Sequence, residues 1–385
     1  MNRKKILVLN TKYRQFGGED SNIIDEIETL NKHFEIKYLE FNNKNLNFFD
    51  ILGFFTLSNK KSNAILRETI KSFNPDIAYV NNTWFKANLG IFDVLKELNI
   101  QTIVKIHNFR YECTRYFLIK NHLGNNKFCR KCGIYRKRFN IFNKYFKESF
   151  LKSLAILNYG KKYHKILSRY PLTIFVLNNF HKQELINSGV SPYKIEILYN
   201  PIFDNKKVQD ASLKSSTDVV YAGRISNEKG VEELLKSWIK AVNNNLTLNI
   251  IGEGELLHNL KNKFSSENII FHGFIDQDKV IKILENARAV ITATKIFEGQ
   301  PRLLCEASSL GIPSIFPRSG GLGEYFPDSY SLSFEQYNYD DLTEKIKLLN
   351  NDKTVLDNGL IAFEYINKLI NPDDYKKIIN GLIRK

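Results

Sequence analysis

Short runs of β-branched residues alternate with longer stretches whose apolar positions recur at helical spacing, from one end of the chain to the other. This alternation predicts an α/β protein with parallel sheets covered by helices. Strands are expected at residues 6–9, 34–39, 77–80, 102–106, 174–177 and 195–198. A second set is expected at 219–222, 246–251, 269–271, 289–293, 313–316 and 331–333. Between the sets, Asn200-Pro201 is followed by a polar stretch, residues 204–217, where apolar periodicity is lost; it reads as an interdomain linker. Two doubly wound sheets in tandem bind ligands at the carboxyl ends of their strands, and a shared central cleft is expected there.

The length of 385 residues fits two domains, since single domains run to about 100–200 residues. The expected boundaries are 1–200 and 201–369, with a helix at about 370–385 packing back on the first domain. Basic residues precede the first apolar run at Ile6, but that run is too short for a signal peptide. No stretch approaches the roughly 18 uninterrupted apolar residues of a membrane span. With four cysteines and no export signal, a reducing cytoplasm is expected.

Charge changes this picture locally. The net charge is +15, and residues 101–170 alone hold seventeen Lys or Arg against two acids, Glu112 and Glu148. Aromatics interleave with these cations, and such a surface suits polyphosphate, nucleic acid or an anionic membrane face. The expected helix near residues 149–169 carries Lys152, Lys161, Lys162, Lys165 and Arg169 beside Leu154, Ile156 and Leu157, a pattern suited to membrane docking.

The candidate chemistry lies in loops after strands. Gly17-Gly18 opens a helix after the first strand, where free amides favour anions. Gly223-Arg224 and Lys229-Gly230 follow the first strand of the second set, where two cations could neutralise a diphosphate. Gly252-Glu253-Gly254 and Gly320-Gly321 repeat the pattern of a Gly-rich turn after a strand. Glu298 lies in a loop, and Glu306 lies at an inward helical position, where a buried carboxylate needs partners such as sugar hydroxyls. Asp276 and Asp278 precede an apolar helical run and read as helix capping. Cys113 with Cys129-x-x-Cys132 has metal-like spacing but supplies three thiols where structural zinc takes four ligands, so zinc and reduced thiols both stay open.

In order and spacing, Gly223-Arg224 with Lys229, His272-Gly273-Phe274, Glu298-x7-Glu306, Gly311-Ile-Pro313 and Gly320-Gly321-x-x-Glu324 resemble the retaining nucleotide-sugar glycosyltransferases of family 4. In the first domain, Gly17-Gly18, His107-Asn108-Phe109-Arg110 and the cysteines are similar to a polysaccharide-building branch of that family. The resemblance implies a GT-B fold, with an N-terminal acceptor-binding and a C-terminal nucleotide-sugar-binding domain, both Rossmann-like. It implies that Arg224 and Lys229 hold the donor diphosphate without a metal, that Glu306 binds ribose and that Glu298 contacts the donor sugar. Gly223 and Gly299, Gln300, Pro301 and Arg302 would approach the donor, Gly17 and Gly18 would sit near phosphates or acceptor, and His107 would lie across the cleft near the reacting carbon. Gln300-Pro301 replaces the Phe-Gly often found there, which leaves the donor sugar open.

The expected activity is transfer of a sugar from a nucleoside-diphosphate donor to a growing, lipid-linked surface glycan, with no catalytic cofactor. The enzyme would work at the inner face of the cell membrane, on an anionic surface, with no nucleic-acid partner. The alternatives are a basic nucleic-acid or membrane-binding protein without catalysis, and a nucleotide-sugar epimerase or hydrolase on the same fold.

Overall fold

The computed structural model describes residues 3–12, 18–109, 129–131, 150–202, 207, 210–241, 245–371 and 373–383. Gly17, Arg110, Cys113 and Cys132, and most of the basic block, lie outside the described residues. The chain divides into two compact units, Met1–Pro201 with Pro372–Lys385, and Ile202–Asn371.

The first unit holds a parallel sheet of β1 (Lys5–Lys12), β2 (Glu35–Asn42), β3 (Ile77–Val80), β4 (Gln101–Lys105), β5 (Leu172–Val176) and β6 (Ile195–Ile197), in the order β2-β1-β3-β4-β5-β6. β1 and β3, both central, are buried almost throughout, as expected of strands covered on both faces. Side chains of β1, β3 and β4 alternate between two cores. Leu7, Leu9, Ala78, Val80 and Val104 face one, while Ile6, Val8, Ile77, Tyr79 and Ile103 face the other.

The helix Asp373–Ile383 belongs to this second core, with Tyr375, Ile379 and Leu382 packed beneath β1 and β4. The helix Phe150–Arg169 also belongs to the first unit. Its Ile156, Leu157, Ile166 and Leu167 are buried. Lys161, Lys165 and Arg169 face water, so the described apolar face of this helix serves the core and is not available to a bilayer.

The second unit holds β7 (Asp218–Ala222), β8 (Thr247–Ile251), β9 (Ile269–Gly273), β10 (Ala289–Ile291), β11 (Ser314–Arg318) and β12 (Ser333–Glu335). Their order, β12-β11-β10-β7-β8-β9, runs outward on both sides from β7. The direction of winding therefore reverses between β7 and β10, and a sheet of this kind binds its ligand at the carboxyl ends of those two strands.

The polar stretch read as linker contains the short helix Asp210–Ser215. Leu213 is buried, and its carbonyl accepts a 3.0 Å hydrogen bond from the guanidinium of buried Arg288. A single apolar anchor with one buried donor seats the segment, too little to register as periodicity.

Candidate functional site

At the switch point, the loop after β7 runs from Gly223 through Ser226 into a single turn, Asn227–Lys229, and then the helix Val231–Lys240. Gly230 makes that path feasible. Its φ is +67°, and a Cβ there would lie 2.0 Å from the carbonyl oxygen of Ala293, just past β10. Gly252 and Gly254 give the same close approach from β8, where a Cβ would fall 2.0 Å from the Gly223 oxygen and 2.2 Å from the Ile225 oxygen. Three strand-end loops are thus stacked backbone on backbone, tied by Ile225 N–H to Glu253 O at 2.8 Å and Lys295 N–H to Glu228 O at 2.9 Å.

This stacking brings two of the expected residues together. The Lys229 ammonium donates to Glu298 Oε1 at 2.5 Å, and the Thr294 hydroxyl donates to the same oxygen at 3.1 Å. Both charged side chains remain about a quarter exposed, at 27% and 23%, so the pair can be reached from solvent. Arg224 extends outward, 64% exposed, with its guanidinium 3.6 Å from Glu228. The carbonyl of Arg224 is held by the hydroxyl of buried Tyr221 at 2.8 Å, which fixes the loop while the side chain extends into solvent.

Glu306 lies one turn into the helix Arg302–Ser309. Its partner is Arg302, whose Nε donates to Oε1 at 2.7 Å, with the Gln277 amide 3.4 Å from the same oxygen. The inward carboxylate is therefore satisfied within the chain, in an i,i+4 pair that the sequence places in plain view. Gly299 is buried and its carbonyl accepts from Tyr325, while Gln300, Pro301 and Arg302 are half-buried at the start of the helix. Cys305 is buried on the same helix, and burial, then the nearby Glu306, push its thiol well above the usual range. Asp276 occupies the N-cap position of the helix Gln277–Leu284, but its side chain makes no capping bond.

In the first unit, a polar pocket opens at the carboxyl ends of β3 and β4, lined by Asn81, Asn82, Trp84, His107, Asn108 and Tyr159 among others. His107 Nε2 lies 2.9 Å from Asn81 Oδ1. An amide oxygen only accepts, so Nε2 carries the proton and Nδ1 is the acceptor. Nδ1 has no partner among the described residues, and neither has the Asn81 amide nitrogen. Burial, then the charge of Lys105, push the imidazole down to about 4, so it is neutral at physiological pH. Gly18 begins the helix Gly18–Asn31, which carries Glu19 and Asp20 in its first turn. Two carboxylates stand where an anion was expected, an environment better suited to hydroxyl donors.

Beneath this pocket lies a network that the sequence pattern does not single out. Lys105 and Glu26 are both fully buried, with Nζ 2.5 Å from Glu26 Oε1 and 2.7 Å from the Tyr375 hydroxyl. Tyr79 and Tyr375 each donate to Glu26 Oε1 at 2.7 Å. Burial pushes the Glu26 carboxyl up, but Lys105 and the other partners outweigh it and hold the group below its usual range. The available signal was a lysine closing the apolar strand Ile103-Val104-Lys105-Ile106. A second unforeseen element is Lys295, 8% exposed, which bridges Glu233 at 2.7 Å and Asn227 at 3.1 Å and so braces the turn that presents Lys229. Cys129 is buried, and among the described residues no group of three His, Cys, Asp or Glu side chains is placed to hold a metal.

Residues 203–360 match the family model for Glycosyl transferases group 1. Over 195 residues the chain is 23% identical to an uncharacterized 41.2 kDa protein in the cps region of Klebsiella pneumoniae, covering 48% of this chain and 53% of that protein. Over 143 residues it is 30% identical to lipopolysaccharide 1,6-galactosyltransferase of Escherichia coli K12, covering 35% of this chain and 39% of that protein. The chain thus spans about half or less of the length of these curated relatives. Among solved structures it is similar to Anabaena HepE, crystallised in complex with UDP and glucose, with a TM-score of 0.68 at 12% identity over 99% of both chains.

Proposed function

From a second unit that is a glycosyl transferase group 1 domain, in a chain with the GT-B fold, we propose a retaining enzyme that moves a sugar from a nucleoside-diphosphate donor to a growing, lipid-linked surface glycan. The observation that carries the reading is the Lys229–Glu298 pair at the carboxyl ends of β7 and β10, the switch point of the second sheet.

Breaking the bond between the sugar and the diphosphate leaves negative charge on the leaving group. Lys229 is fixed by its turn and supported by a braced loop, and Arg224 can swing toward the same place. Preorganised cations of this kind stabilise the departing diphosphate without a metal ion. Glu298 holds the Lys229 ammonium and offers a carboxylate to donor-sugar hydroxyls. Glu306, oriented by Arg302, offers another to ribose, and Gly223 and Gly299 keep the backbone open to the donor. In the first unit, His107, neutral and oriented by Asn81, lines a polar pocket suited to sugar hydroxyls. The relatives in a capsule region and in lipopolysaccharide synthesis support a surface glycan as acceptor, and the UDP complex of HepE makes UDP the first nucleotide to try.

Calorimetry with UDP and a panel of other nucleoside diphosphates tests the donor site. Glu306→Ala should weaken the preferred nucleotide by about 1–3 kcal/mol, the cost of unmet hydrogen-bond partners. Glu298→Gln should spare free nucleotide and impair transfer. The reverse pattern would contradict the assignment.

A further inference from the structure

The helix Phe48–Thr56 carries more apolar side chains than it buries. Its inward face carries Asp50, Gly53 and Phe54, all buried. Phe54 stacks on Phe85 and Tyr159, with centroids at 4.2 and 5.4 Å. The acid is consumed locally: Asp50 forms a capping box with Asn47 and accepts from Asn59 at 2.9 Å. Everything large on the outward face is apolar. Phe48 is 72% exposed and Phe49 75%, with Ile51, Leu52 and Phe55 at 39–47%. A helix normally turns such residues inward. This one buries Asp50, Gly53 and Phe54 and still holds a second, aromatic face in water.

The exposed charges that flank the helix in sequence have one sign. Lys44 precedes the helix, Lys60 and Lys61 follow it, and all three are exposed without an ion pair among the described residues. Between residues 43 and 61 the single acid is the buried Asp50. No helix among the described residues is long and apolar enough to cross a membrane.

We propose that the Phe48–Thr56 helix is the surface by which this protein docks on an anionic lipid bilayer, with Phe48 and Phe49 entering the acyl boundary and Lys44, Lys60 and Lys61 contacting headgroups. An apolar wedge rimmed by lysines complements such a leaflet, whose negative potential attracts cations while its interior takes up aromatic side chains. A protein partner of ordinary interface composition would be expected to meet a mixture of charges. The inference draws its purpose from the proposed lipid-linked acceptor, but its observations are independent of catalysis.

Co-sedimentation of the full chain with vesicles tests it, using phosphatidylcholine alone and phosphatidylcholine mixed in equal parts with phosphatidylglycerol. Wild type should bind the mixed vesicles, less so in high salt, and the neutral ones weakly. Phe48→Ser with Phe49→Ser should weaken binding about tenfold or more, since two buried aromatic rings are lost. Lys60→Glu with Lys61→Glu should also weaken it, while Ile239→Ser, an exposed apolar position in the second unit, should not. A Phe49→Trp variant should gain fluorescence quenching by brominated lipid beyond that of wild type. The proposal is overturned by wild type ignoring mixed vesicles or by the Phe48/Phe49 variant binding as wild type. It is also overturned by that variant converting a dimer to a monomer in sedimentation equilibrium. Nucleotide calorimetry on the same variants should match wild type, so failure of docking and failure of the donor site are read separately.

Discussion

Replacing Gly230 by alanine tests whether the loop proposed to hold the donor is positioned by a backbone contact. Two costs fall on that position. A φ of +67° carries a left-handed penalty of about 1–2 kcal/mol for a residue with a Cβ. The new methyl would also sit 2.0 Å from the Ala293 carbonyl oxygen, a backbone atom that cannot rotate away. Relieving that overlap adds about 1–3 kcal/mol, as overpacking does elsewhere. Gly273 is the matched control, with a φ of +71° and nothing within 4 Å of where a methyl would stand, so it incurs the first cost alone. For a unit of this size, each kcal/mol lowers the melting temperature by about 2–4 °C. Thermal unfolding should therefore show Gly230→Ala lower than Gly273→Ala by roughly 2–12 °C. UDP calorimetry should show weakened binding in Gly230→Ala alone, because the turn carrying Lys229 must move off the end of β10. Equal melting shifts, or unaltered nucleotide binding in Gly230→Ala, would refute the reasoning.

Two further outcomes concern the first unit. Glu26→Gln strands the buried Lys105 ammonium and should cost about 3–5 kcal/mol in denaturant unfolding, whereas Glu26→Leu with Lys105→Met should recover most of that loss; equal losses would speak against a buried ion pair. Burial pushes His181 from 6.5 down to about 3 and His107 down to about 4, so the folded chain binds fewer protons than the unfolded one between these values and 6.5. Stability is then fully present above about pH 6.5 and declines as the pH falls below it, by up to about 5 kcal/mol for His181. Denaturant titrations from pH 7 to pH 4 should show that slope, shallower in His181→Phe; an unchanged slope would reject the burial argument.

Most of the fold was legible because strands in covered parallel sheets are short, continuous apolar runs. β3 and β7 are read directly from Ile77-Ala-Tyr-Val80 and Val219-Val-Tyr-Ala222. The helix Asp210–Ser215 was not legible, since Leu213 and a hydrogen bond from distant Arg288 seat it. At the candidate site, glycines and charged residues after strands pointed to the loops that stack at the switch point of the second sheet. The Arg302–Glu306 pair follows from i,i+4 spacing within one helix, whereas sequence could not show that Lys229 meets Glu298, because that partner choice depends on how the loops stack. The Glu26–Lys105 pair joins residues 79 positions apart and stayed invisible for the same reason. The basic block drew attention through its charge, yet the described apolar side chains of the helix Phe150–Arg169 are core. The exposed apolar face lies instead on Phe48–Thr56, whose composition looks like ordinary core until its orientation is known.

The central claim is that the second unit uses Lys229 to stabilise a departing nucleoside diphosphate. The most direct measurement is release of nucleoside diphosphate from a panel of nucleotide sugars, with and without a lipid-linked glycan acceptor, for wild type and Lys229→Ala. The account predicts turnover of one donor that rises with acceptor, persists in EDTA and falls about 10²-fold or more in the variant, the scale of a lost electrostatic donor. Full activity of Lys229→Ala, or complete loss of wild-type turnover in EDTA, would contradict it.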